Sequence, residues 1–274
     1  MKNLLLFLFG ILPLFLFAQE NPYQLSFSKD ATLITGGLTL LVTDFLLSEG
    51  IEPLTQGEID GLNADDINSF DRFATTNFST TAATRSDVGL LLGTGLGLAT
   101  PFVQPLIAKD DPYGKALGTL SVMWLETNFW NLGGTDIVKL AFLRTRPFVY
   151  NTSAPNDIKL EVDARKAFFS GHTSIAAANM FFAAKVFHDY HPDSKARPYV
   201  WAVAALVPLW TGIERINAGK HFPTDVIAGY AWGAFCGWAI PHLHKKKGKD
   251  HGMSWQVAPY SGWTDSGLRL SLAF

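Results

Sequence analysis

Tyr199-Val200-Trp201-Ala202-Val203-Ala204-Ala205-Leu206-Val207-Pro208-Leu209-Trp210-Thr211-Gly212-Ile213 is apolar almost throughout. A polar hinge follows, Glu214-Arg215-Ile216-Asn217-Ala218-Gly219-Lys220-His221-Phe222, and then a second apolar run from Pro223 to Ile240, ended by Pro241. Strands usually hold about 5–6 residues, so runs of this length read as helices. Pro223 suits a first helical turn, where the missing N–H has no partner to lose. Two helices joined by a hinge rich in charge therefore set the pattern, and the same pattern recurs outward from it.

Four more apolar segments precede this pair: Ala31–Leu47, Val88–Ala108, Lys115–Leu132 and Gly171–Phe187. The polar stretch from Ser48 to Ser86, with Asn63-Ala64-Asp65-Asp66-Ile67-Asn68 inside it, reads as turns and short polar helix. The expected fold is all-α, a bundle of about six core helices. Past a basic run at Lys245–Lys249, Trp255-Gln256-Val257 and Leu268–Phe274 alternate in polarity with the period of a strand, with turn-permitting residues between them. A short C-terminal β-hairpin is the expectation there.

The N-terminus runs Lys2, an apolar stretch from Leu4 to Phe17, then Ala18-Gln19-Glu20. This is the order of a secretory leader, with cleavage after Ala18. The expected organisation is a signal peptide at 1–18, an N-terminal helix and polar connection at 19–87, the bundle at 88–244, and a basic, β-like tail at 245–274. The chain of 274 residues carries a formal net charge of −2 and 48% hydrophobic residues. A nucleic-acid surface would need a basic stripe, and that balance argues against one. Cys236 is the single cysteine, so no internal disulfide forms.

Chemistry-bearing residues gather at segment ends in three clusters: Lys139 to Pro147, Phe168 to Thr173, and Glu214 to Asp225. Lys139, Arg146 and Arg215 are three cations, and arginine forks match phosphate oxygens two at a time. Ser170-Gly171-His172 falls where a helix starts, and free N–H groups with the positive dipole end favour an anion there. Gly171 lets the backbone come close. His221 precedes the last helix by two residues, and Asp225 is placed to reach back to one imidazole nitrogen, leaving the other free to attack phosphorus. His172 is placed to protonate a leaving oxygen. The cations already supply the electrostatic stabilisation of a phosphoryl transition state, so no metal ligand is assigned.

The order Lys, six residues, Arg-Pro; Ser-Gly-His; Arg, five residues, His, three residues, Asp resembles the type 2 phosphatidic acid phosphatase superfamily, which also holds bacterial acid phosphatases and vanadium haloperoxidases. The resemblance covers roughly residues 115 to 241. It implies a helical bundle with His221 as nucleophile, Asp225 as its orienting partner and His172 as general acid and then base. Lys139, Arg146, Ser170, Gly171 and Arg215 would bind the phosphoryl group. It also implies a phosphorylated lipid, isoprenoid or small phosphoester as substrate, membrane association, and a site facing the periplasm, with no cofactor. Under the haloperoxidase alternative vanadate occupies the same anion site; a non-catalytic envelope protein is the third reading. Phe169 stands where the family has proline and Glu214 where it has serine. An inward Glu214 would compete with phosphate for Arg215; an outward one would be neutral.

The apolar segments carry Asp44, Glu126 and Lys185, and a charge at mid-bilayer costs about 2.5–3.5 kcal/mol on insertion scales. After an exported leader, three crossings would bring Lys139 to the cytoplasmic side. A bundle that does not fully cross removes that conflict, as the mean hydropathy of +0.14 allows.

Overall fold

The computed structural model describes residues 21–110, 112–246, 254–261 and 266–273. The expected leader at 1–18, Lys247–Lys249 and Phe274 lie outside the described residues. Six long helices carry the chain: α1 (Phe27–Ser48), α2 (Thr80–Ala108), α3 (Tyr113–Phe142), α4 (Gly171–Tyr190), α5 (Arg197–Asn217) and α6 (Pro223–His244). The all-α expectation holds.

Two helices outrun their apolar signal. α2 begins at Thr80 rather than Val88, because the Ser79 hydroxyl accepts the Ala82 N–H and caps the helix there. α3 continues past Leu132 to Phe142 despite Gly133-Gly134. Those glycines serve packing, not chain reversal: a Cβ on Gly133 would sit 2.6 Å from the Leu40 Cβ of α1. α3 stops instead at Leu143, whose φ of 40° is left-handed.

α4 is the central helix and packs against α2, α3, α5 and α6, while α1 packs on α3. Its Thr173, Ser174, Ala176, Ala177 and Ala178 are fully buried, and small side chains let four neighbours approach one helix. Below them Leu120, Met123, Phe182, Val186, Tyr190 and Ile240 form the main apolar cluster with Tyr23. Each such large side chain contributes about 1.5–3 kcal/mol on burial. Lys185, one of the charges in the apolar segments, pairs with Asp189, which also accepts the Tyr23 hydroxyl at 2.9 Å.

The helices alternate in direction. The C-terminal ends of α3 and α5 meet the N-terminal ends of α2, α4 and α6 at one pole. α1 starts at the other, where the Gln24 N–H donates to the His244 carbonyl at 3.0 Å. The polar connection folds over the first pole. It contains a capping-box helix, Gln56–Asp60, and 3-10 turns at Ala64–Asp66 and Arg72–Thr76. Leu54 in it packs with Phe148, Val149, Ala154 and Ala164.

α1 and α2 are long and apolar enough to cross a membrane by length and composition, and they leave Phe45, Leu46, Leu91, Leu98 and Leu106 exposed. The residues from Lys245 onward form a second unit. In it β1 (Ser254–Ser261) pairs antiparallel with β2 (Ser266–Ala273), Ser254 opposite Ala273 and Ser261 opposite Ser266, which is the expected hairpin.

Candidate active site

Ser170 occupies the N-cap position of α4, yet its side chain makes no capping hydrogen bond; its hydroxyl pairs with that of Thr173 at 2.9 Å. The first-turn N–H groups of an α-helix have no intrahelical partner, so this end of α4 presents donors to an anion. The Ser170 N–H donates to the Asp225 carbonyl at 3.0 Å, which locks the start of α4 to the first turn of α6. A Cβ on Gly171 would lie 3.1 Å from Lys139 Nζ, so glycine lets this ammonium rest against the helix start without being displaced. Lys139 is held by Asp136 at 3.0 Å, one turn earlier on α3.

The hinge between α5 and α6 turns at Gly219, whose φ of 69° favours glycine and where any Cβ would strike the Asn77 carbonyl at 2.2 Å. This turn buries His221. Its Nδ1 lies 2.7 Å from the Ala167 carbonyl. A carbonyl only accepts, so Nδ1 carries the hydrogen and Nε2 keeps its lone pair. Nε2 lies 3.4 Å from an Arg146 nitrogen. Asp225 does not hold the ring as expected: its carboxylate is 3.7 Å from Nδ1 and accepts the Phe222 N–H at 2.7 Å instead. Burial, then the charges of Arg146, Arg215 and Lys139, hold the His221 imidazole well below its ordinary pKa, so it is neutral at neutral pH. Burial pushes the Asp225 carboxyl up to about 6 against the opposing pull of Arg144.

Arg146 donates to the Asp163 carbonyl and carboxylate at 2.8 and 2.7 Å and to the Lys220 carbonyl at 3.1 Å. Arg215 is buried, reaches the Ser86 hydroxyl at 3.4 Å, and its Nε has no partner. Burial and then Arg146 lower its pKa to about 9, a repulsion that a bound anion would relieve. His172 donates through Nε2 to the Asp87 carboxylate of α2 at 2.9 Å. Burial and then Arg215 depress its pKa to about 4, with Asp87 pulling the other way.

Several residues here carried no signal that spacing could reveal. Asp87 and the Ala167 carbonyl are two, and the Arg144–Asp71 pair is another. Arg144 donates to Asp225, to the Thr224 hydroxyl at 2.8 Å and to Asp71 at 2.8 Å, and stacks 4.1 Å over Phe222. Asp71, from the polar connection, also accepts the Thr224 N–H and hydroxyl at 3.0 and 2.6 Å, capping α6 from a distant part of the chain. Arg144 lies inside the first cluster and could have been singled out; Asp71 could not. Of the two departures from the family pattern, Phe169 is buried against Phe168 and Trp232, so packing defines that turn. Glu214 turns to Arg85 of α2 at 2.9 Å and makes no bond to Arg215.

The family model of the PAP2 superfamily matches residues 116–249. Residues 116–249 belong to the PAP2 superfamily. This PAP2 region contains Lys139, Arg146, Ser170, Gly171, His172, Arg215, His221 and Asp225, and it supports a phosphatase. A solved structure of a transmembrane PAP2 type phosphatidylglycerolphosphate phosphatase from Bacillus subtilis is 22% identical. The match covers 76% of this chain and 94% of that one, with a TM-score of 0.46.

Proposed function

We propose that this protein is a metal-independent phosphatase that hydrolyses a phosphomonoester or pyrophosphate of a lipid or isoprenoid through a phosphohistidine at His221. The carrying observation is the ring geometry: the Ala167 carbonyl takes the Nδ1 hydrogen, and the Nε2 lone pair is directed into a pocket of cations. Nε2 attacks phosphorus while the bond to the leaving oxygen breaks, and His172 gives that oxygen its proton. A water then loses its proton to His172 and attacks phosphorus, breaking the P–N bond and releasing phosphate. Lys139, Arg146, Arg215 and the N-terminal turn of α4 at Ser170-Gly171 stabilise the equatorial oxygens in both steps. Asp225 acts as a positioning residue through the Phe222 N–H and Arg144, and its charge 3.7 Å away favours the phosphorylated ring.

The exposed apolar faces of α1 and α2 suit a lipid substrate and a membrane-associated bundle. α1 starts at the pole opposite the site, so full crossing after an exported leader would turn the site inward. A bundle resting on the membrane keeps it in the periplasm, and this is the arrangement we favour. The non-catalytic reading loses its one argument, since Glu214 is paired with Arg85.

The test is phosphate release by purified protein in detergent with a chelator, from a chromogenic ester and a panel of lipid phosphates, beside His221→Ala. Release that survives the chelator, is lost in the variant, and is accompanied by an acid-labile phosphoprotein in the wild type is the expected result. Release that persists in His221→Ala refutes the mechanism.

A further inference from the structure

Asp30 at the start of α1, Glu126 in α3 and His244 at the end of α6 meet inside the bundle, with one ligating atom of each within 4.8 Å of the others. Glu126 lies 13 residues before Lys139 on α3, about 20 Å along the axis at 1.5 Å per residue, so this cluster is separate from the phosphoryl site. The His244 Nδ1 is 2.8 Å from the Ile240 carbonyl, which takes its hydrogen and leaves Nε2 with a lone pair. Nε2 is within hydrogen-bond distance of Asp30 Oδ1 at 3.0 Å and lies 3.2 Å from Glu126 Oε2, so either a proton or a metal ion stands between this nitrogen and the two carboxylates. Glu126 is fully buried, and neither of its carboxylate oxygens has a hydrogen-bond partner. A neutral His244 has no second hydrogen to give, so three electron-rich atoms in a buried interior call for added positive charge between them, which a metal ion supplies.

We propose that Asp30, Glu126 and His244 hold a structural divalent transition-metal ion, Zn²⁺ by the character of the donor set. One imidazole nitrogen and two carboxylate oxygens suit Zn²⁺, and tetrahedral bonds of about 2.0–2.2 Å place ligand atoms about 3.3–3.6 Å apart. The observed 3.0 and 3.2 Å need only a few tenths of an ångström of expansion. The outer contacts are also those of a metal site. His244 gives its second nitrogen to a carbonyl, and the other Asp30 oxygen accepts the Ser26 N–H at 2.7 Å. Lys29 is anchored at 3.0 Å on the Leu243 carbonyl, beside the cluster rather than in it. The ion would clamp the ends of α1 and α6 to the middle of α3, and its role is stability, not phosphoryl transfer.

The experiment uses the full-length protein in detergent. Elemental analysis of wild type purified without chelator should show about one zinc per chain, and Glu126→Gln should show almost none. Zn²⁺ added to chelator-stripped wild type should raise its melting temperature by about 5 °C or more, and Co²⁺ should give the visible absorption of a tetrahedral site. Should Glu126→Gln fail to fold, Asp30→Asn replaces it, and the wild-type titration decides alone. Wild type that carries no ion and melts at the same temperature with and without Zn²⁺ or Co²⁺ overturns the proposal and identifies His244 as an imidazolium shared by two carboxylates.

Discussion

Asp87→Asn removes the charge that faces His172 across 2.9 Å while keeping the side-chain shape. In the free enzyme burial and Arg215 hold His172 at a pKa of about 4, with Asp87 the main group opposing them. A general acid must be protonated to act, so at pH 7 only about one molecule in 10³ carries the imidazolium. His221, depressed well below its ordinary value, is neutral at neutral pH and so does not produce the alkaline limb. The wild-type kcat/KM should therefore fall with rising pH between 5 and 8. The kcat profile should fall later, because a bound phosphate brings negative charge and raises His172. Asp87→Asn lowers the His172 pKa further, so for a one-unit shift its kcat/KM should drop about tenfold at pH 6 and about fivefold at pH 4, the whole alkaline limb moving to lower pH. The assay is initial rate against substrate concentration across pH 4 to 9 for both proteins. The substrate's own ionisation is common to both, so the difference between the two profiles reports His172. An alkaline limb that stays in place, or moves to higher pH in Asp87→Asn, refutes the assignment of His172 as the acid.

Gly171→Ala places a methyl group 3.1 Å from Lys139 Nζ. The end of a flexible lysine can move, so the melting temperature should stay within about 2 °C while KM rises several-fold, as steady-state kinetics will show. Glu214→Ser should leave KM within about twofold, because the carboxylate is paired with the half-exposed Arg85 and such pairs are worth about 0.2–1 kcal/mol. Asp71→Ala strands part of Arg144 and uncaps α6. Breaking a buried pair costs about 3–5 kcal/mol, and thermal melting should show a loss of roughly 6–15 °C.

The helices were legible in the sequence because their cause is local. A long apolar run followed by a polar hinge has one economical fold, and all six segment positions needed only boundary changes. The apolar run read as Lys115–Leu132 stops ten residues short of the end of α3, and the glycines just past it answer to tertiary neighbours that periodicity cannot name, Gly133 to Leu40 of α1 and Gly134 to Trp232 of α6. The order of the three clusters was legible for the same reason as the helices: Lys139 to Pro147, Ser170 to His172 and Arg215 to Asp225 each lie within one short stretch. What joins these stretches lay outside the reach of spacing. The partner of His221 Nδ1 is a backbone carbonyl, which every residue has, so no side-chain pattern marks Ala167. Asp71 caps a helix that begins 152 residues later, at Pro223. Glu214 pairs with Arg85 and not with its neighbour in sequence, because a helix turns adjacent residues to different faces. Asp30, Glu126 and His244 come from three helices and converge only when the bundle closes. The sequence alone determined which segments are helical and which residue types gather at their ends; tertiary structure decided which atoms face one another, because those contacts are made between segments far apart in the chain.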